Sequence, residues 1–159
     1  MNKNNLIKKI IAQLVRELAL YHKAARASHA EATHEQSKAE SKYDTRGLEA
    51  SYLARGQSRQ AAEIELAIEQ FQSLSARKFG PKDVIDLSAL IELEGKKERS
   101  FYFIGPRAGG TEILHEKKEV LVITPQSPLG QQLVGKKQGD RLQIEIGGLR
   151  NDYRVIAVS

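Results

Sequence analysis

Three carboxylates, Glu40, Asp44 and Glu49, gather around Asp44-Thr45-Arg46-Gly47, a stretch of turn-forming chemistry inside a long run of helix formers. Carboxylate oxygens are hard donors of the kind Mg²⁺ prefers. Glu40 lies one helical turn before Asp44, and Glu49 is the next acid after it. Lys42 and Arg46 crowd the same place. At about 6 Å in water a unit charge pair is worth only about 0.7 kcal/mol, so these cations weaken ion binding without abolishing it. The structural roles open to the same acids are turn capping for Asp44 and a first-turn position favoured by the helix dipole for Glu49. Thiolate chemistry is excluded, because the chain has no cysteine. His22 and His29 are one heptad apart and His34 follows, a spacing that builds no metal site, so they read as surface histidines.

The elements that hold these acids follow from the apolar pattern. No proline occurs before Pro81, and Gly47 and Gly56 are the only glycines before Gly80. From Ile7, the positions Ile11, Leu14, Leu18, Tyr21, Ala25, Ser28, Ala32, Glu35 and Ala39 alternate steps of four and three, the seam of a coiled coil. Leu53, Gln57, Gln60, Ile64, Ala67, Phe71 and Leu74 repeat the pattern. Folded antiparallel about a turn centred near Arg46, the seams match in size: Leu18 meets Leu74, Tyr21 meets Phe71, and Ala25 meets Ala67. A helix from Leu6 to Lys42 would extend roughly 55 Å, more than a compact domain requires. Residues 1–79 therefore read as an antiparallel coiled-coil hairpin with its tip near 43–49. Internal seam pairing favours a monomer.

At Phe79-Gly80-Pro81 the helical pattern stops. Val84 to Leu93, Ser100 to Ile104, Val120 to Ile123, Arg141 to Ile146 and Tyr153 to Val158 are rich in strand formers and predict four to six strands, mostly antiparallel. Ser127-Pro128 and the following Leu129 to Gly135 predict one short helix, with serine at the N-cap, proline at its first position and glycine past its end. Residues 80–159 are thus a β-rich domain, and the fold class is α+β. The charge balance is +5 in 159 residues, with 40% hydrophobic and 28% charged residues, as in an ordinary soluble protein. The positive excess is scattered among acids, which reads as a solvated surface. The apolar run from Leu6 to Val15 is interrupted by Lys8 and Lys9 and is too short to span a membrane. A reducing cytoplasm is the expected setting.

The stretch Thr124-Pro125-Gln126-Ser127-Pro128-Leu129-Gly130, followed by Leu133-Val134-Gly135-Lys136-Lys137, Gly139-Asp140 and Tyr153-Arg154-Val155-Ile156, resembles the C-terminal signature of the Gre transcript cleavage factors. With the hairpin before it, the resemblance covers nearly the whole chain. It implies an FKBP-like C-terminal domain that docks on bacterial RNA polymerase and a coiled-coil finger that enters the secondary channel. There, tip carboxylates help hold a Mg²⁺ of the polymerase active site while the polymerase cuts backtracked RNA. On this resemblance Gln126, Ser127 and Pro128 form the docking loop, with Gln126 standing where some members have an acid. Asp44 and Glu49 become the assisting tip acids and polymerase-site metal ligands, with Glu40 a further candidate. The family pattern of an Asp and a Glu three apart is altered, because Gly47 stands three residues after Asp44.

Arg55 and Arg59, with Lys38, could contact polymerase or transcript RNA near the tip, or simply form a solvated helix face. The implied protein is an accessory factor without a cofactor of its own, rather than an enzyme. Three alternatives stand beside cleavage stimulation: a non-cleaving paralogue that competes for the channel, an FKBP-like prolyl isomerase, and a coiled-coil adaptor or DNA-binding protein. Isomerase pockets are usually walled by aromatics, and the chain lacks tryptophan. The only support for nucleic-acid binding is the modest positive charge.

Overall fold

The computed structural model describes residues 1–33 and 46–159. Its first helix, α1, covers Lys3–Thr33, and the second, α2, covers Arg46–Gln72. Helix α1 holds 31 residues without proline or glycine and starts at an Asn2 cap, whose Oδ1 accepts from the Asn5 amide at 3.1 Å. The chain divides into two compact units, Ile11–Glu69 and Met1–Ile10 with Gln70–Ser159. The sequence places its boundary at residue 79, whereas this division leaves the outer ends of both helices in the same unit as the sheet.

Within Ile11–Glu69 the helices form an antiparallel coiled-coil hairpin. Ala25, Ala61, Ala67 and Ile68 are buried, and His22 Nε2 lies 3.2 Å from Glu65 Oε1. The pairing differs in detail from the expected seam. Tyr21 is exposed, as is Gln60, while neighbouring Ala61 is buried. A helical face about 100° wide contains both Gln60 and Ala61, and burial selects the apolar neighbour. The expected seam partners Ala25 and Ala67 are both buried, and the His22–Glu65 pair links the two helices on their exposed flank. Arg46 and Gly47, expected in the turn, are already helical.

In the other unit, strands β1 (Leu90–Gly95), β2 (Glu98–Ile104), β3 (Glu112–His115), β4 (Lys118–Ile123), β5 (Arg141–Ile146) and β6 (Leu149–Val158) form one sheet in the order β3-β4-β2-β1-β6-β5. All pairings are antiparallel except β2 with β4, so the sheet is mixed. A short helix, α3 (Pro128–Leu133), lies between β4 and β5 in the chain. Ile85, Ile91, Leu93, Ile104, Leu133 and Val155 belong to one buried core, each stabilising the fold by on the order of 2 kcal/mol through apolar surface removed from water.

Strand β1 begins at Leu90 rather than Val84, because Ile85 exchanges backbone hydrogen bonds with Gly135 and Lys136 instead of joining the sheet. The short edge strand β3 has no counterpart among the predicted strands. Helix α2 ends at Gln72, before Gly80-Pro81. Beyond it, the Arg77 amide donates to Ser88 Oγ at 3.2 Å and the Arg77 carbonyl accepts from the Lys3 ammonium. These contacts with distant residues replace the helical bonds that Arg77 would otherwise make.

Lys3 is 8% exposed. Besides Arg77, its ammonium donates to the carbonyls of Ser88 and Ser159, each at 2.9 Å, and sits 4.8 Å from the Phe79 ring centre. Burial, with a smaller contribution from the Arg77 charge, pulls its pKa down to about 8. A charged side chain is thus enclosed by carbonyls and an aromatic ring where α1 begins. No helix among the described residues is long and apolar enough to cross a membrane.

Candidate functional site

The segment from Thr124 to Asp140 is fixed by local chemistry that leaves selected side chains facing outward. Ser127 is extended, with φ −65° and ψ 155°, and caps α3. Its Oγ accepts from the Gly130 amide at 3.1 Å and donates to the Thr124 carbonyl at 2.7 Å. The Ser127 amide donates to that same carbonyl at 3.1 Å. Pro128 follows at the start of the helix, where its missing N–H is no loss. A Cβ on residue 130 would sit 1.8 Å from the Thr124 carbonyl oxygen, so only glycine permits this tight return of the loop onto the helix.

Downstream, Leu133 is fully buried and anchors the helix to the core. The Gly135 amide donates to the Ile85 carbonyl at 2.9 Å, while Asp140 Oδ2 accepts from the Lys137 amide at 3.0 Å. The Gly139 amide and Asp140 carbonyl then bond with Val155 on β6. The loop, helix and turn are therefore secured at both ends. Gln126, Pro128, Gln131 and Gln132 remain exposed, with the Gln131 amide nitrogen donating to the Gln126 carbonyl at 3.2 Å. This surface offers shape and neutral hydrogen-bonding groups but contains no acid or nucleophile arranged for bond chemistry. Its arrangement suits docking.

The expected tip residues Glu40 and Asp44 lie outside the described residues, as do Lys38, Lys42 and His34. The backbones of Glu49 and Arg55 lie within α2, and Arg59 is exposed on the same helix. His22, read as a surface residue, is partly exposed and faces Glu65. Among the described residues, no group of three His, Asp or Glu side chains converges on a metal position. Sequence reasoning missed Lys3: a lysine at a helix start reads as solvated, and the carbonyls around it come from residues 74 or more positions away.

The chain thus joins an antiparallel helical hairpin to a mixed-sheet domain that carries a capped Ser-Pro loop and one short helix. The match to the family described as "Transcription elongation factor, GreA/GreB, C-term" covers residues 80–159, and the chain belongs to this family. It is 28% identical over 124 residues to the transcription inhibitor protein Gfh1 of Thermus thermophilus, a match covering 73% of this chain and 72% of that relative. The crystal structure of GreA factor homolog 1 from the same organism aligns over 94% of each chain, with 23% identity and a TM-score of 0.40. The GreA/GreB factor from Nitrosomonas europaea aligns over 70% of this chain and 92% of its own, with 16% identity and a TM-score of 0.39.

Proposed function

We propose that this protein is a cytoplasmic elongation regulator that docks on RNA polymerase through residues 80–159 and sends its helical hairpin into the secondary channel. The observation that carries this reading is the family match across the whole sheet domain, whose Gln126-Ser127-Pro128 loop exposes Gln126 and Pro128 and is held in one conformation by Ser127 and Gly130. A preformed loop loses little conformational entropy on binding. In the active form of the proposal, Asp44 and Glu49, with Glu40 as a further candidate, supply carboxylates near the polymerase's catalytic centre. The polymerase-bound Mg²⁺ would supply Lewis-acid stabilisation during phosphodiester cleavage. Arg55 and Arg59 would lie along the same arm, close to polymerase or transcript phosphates. The protein brings no cofactor of its own, acts as a monomer and assists the polymerase's nuclease activity rather than cutting RNA itself.

A second reading, occupation of the channel without cleavage, is favoured by two observations. Gly47 replaces the second acid of the family's tip pattern, and a relative of similar length is named a transcription inhibitor. Backtracked elongation complexes with Mg²⁺ separate the readings. Accelerated shortening of the RNA supports cleavage assistance; competition with an authentic cleavage factor, without shortening, supports inhibition. A chain that neither shortens the transcript nor competes contradicts both.

A further inference from the structure

Beside α3, an open groove of about 1370 Å³ runs between the β1–β2 turn and the β5–β6 ladder. Lys96, Lys97, Lys136, Arg141 and Arg154 line it, against the acids Glu94 and Asp152. We propose that this groove seats an acidic segment of the protein on which the C-terminal domain docks. That this protein is RNA polymerase rests on the functional reading above; the acidic chemistry of the segment comes from the groove.

The positive charge is held there against local preference. Lys96 and Lys97 form the two-residue β1–β2 turn with φ of 50° and 65°, a left-handed geometry normally given to Asn-Gly or Gly-Gly. The β5–β6 hairpin uses Gly147 and Gly148 at its turn, while Glu116 and Lys117 also take positive φ between β3 and β4. Neither Lys96 nor Lys97 makes an ion pair with a described residue. Arg141 stands directly opposite Arg154 across β5 and β6, a like-charge pairing that opposes the ladder. Glu94 only partly offsets it: the carboxylate is 3.9 Å from Arg154 and is shared with Arg99 at 3.6 Å. Acidic side chains entering the groove would relieve both the unpaired turn charges and the arginine repulsion.

The shape and mixed polarity favour a protein over a nucleic acid. A Cβ at Gly95 would fall 2.4 Å from Tyr153 Cδ1, so the Tyr153 ring lies directly against the turn backbone and provides an apolar wall next to Lys96. Gln131, Gln132 and Gln143 add amide donors and acceptors that complement peptide groups. Glu94 and Asp152 can accept hydrogen bonds from peptide N–H groups, donors that a phosphate backbone lacks. The groove is also larger than the usual small-molecule pocket of roughly 300–1,000 Å³, which suits a chain segment.

The test uses the full chain, purified bacterial RNA polymerase, and two labelled probes of about ten units, oligoglutamate and oligothymidylate. The variant K96N/K97G removes both charges while placing favourable residues in the turn, and R141Q removes the repelling arginine. K82E changes an exposed lysine outside the groove. The expected result is that K96N/K97G and R141Q weaken polymerase and oligoglutamate binding by about tenfold or more, with the loss shrinking at high salt, while K82E stays within about twofold. An unchanged urea midpoint or a higher one for K96N/K97G excludes unfolding as the cause. Polymerase binding that ignores the groove variants overturns the proposal while leaving the polymerase reading intact. If wild type fails to bind polymerase but binds oligoglutamate through the groove, the polymerase reading fails and acidic recognition stands. Oligothymidylate bound as tightly as oligoglutamate, with the same dependence on the groove, overturns the protein occupant. Absence of binding to polymerase and both probes overturns both readings.

Discussion

Gly130 and Thr124 are packed so closely that a single methyl group on residue 130 would overlap the Thr124 carbonyl, at 1.8 Å from its oxygen. The conformation of the Gln126-Ser127-Pro128 loop depends on that approach. Gly130→Ala is expected to destabilise the fold by about 1–3 kcal/mol and to weaken polymerase docking beyond its effect on stability. Ser127→Ala removes the helix cap and should cost about 1 kcal/mol. Urea unfolding, with polymerase affinity measured on the folded protein, checks both outcomes. A docking affinity for Gly130→Ala equal to wild type would falsify the role assigned to this loop.

Lys3 gives the fold a pH dependence of defined sign. Its pKa is about 8 in the folded chain against 10.5 for an ordinary lysine, so the folded state loses the proton first as pH rises. Unfolding therefore takes up a proton across that interval, and stability should increase from about pH 8 toward 10.5. That gain should be lost again as pH falls through the folded value. The urea midpoint of wild type, compared with Lys3→Met at about pH 7.5 and 9.5, isolates the contribution from other titrating groups. Wild type should gain relative to the variant at the higher pH; parallel midpoints would rule out the shifted amine.

The Lys96-Lys97 turn should trade stability for binding. Left-handed backbone is costly for lysine and natural for Asn-Gly, so K96N/K97G is expected to raise stability by about 0.5–1 kcal/mol. Thermal or urea unfolding reads this directly. A lower midpoint would mean that the lysines stabilise the hairpin in the free protein.

At the proposed arm tip, Asp44→Ala and Glu49→Ala are expected to leave polymerase binding intact. If the chain assists cleavage, at least one of them should slow transcript shortening by roughly tenfold or more. Single-turnover shortening of backtracked RNA, measured beside equilibrium binding, distinguishes loss of chemistry from loss of docking. Full cleavage by both variants would remove these acids from the mechanism.

The sequence by itself determined the succession of elements: two helical seams, a break before a β-rich domain, and the Ser-Pro start of α3. These are local consequences of residue period, turn chemistry and capping, which neighbouring side chains encode without help from distant parts of the chain. The Gly130 constraint was only half legible, because a glycine in a helix gives no sign of the carbonyl facing it. Tertiary structure alone decided that Ala61 is buried in place of Gln60, that α2 stops at Gln72, and that Lys3 is enclosed by carbonyls of Arg77, Ser88 and Ser159. It also set Arg141 opposite Arg154 and placed both near the Lys96-Lys97 turn. Such choices depend on which segments compete for the same buried space and hydrogen-bond partners, and for Lys3 those partners lie up to 156 residues away.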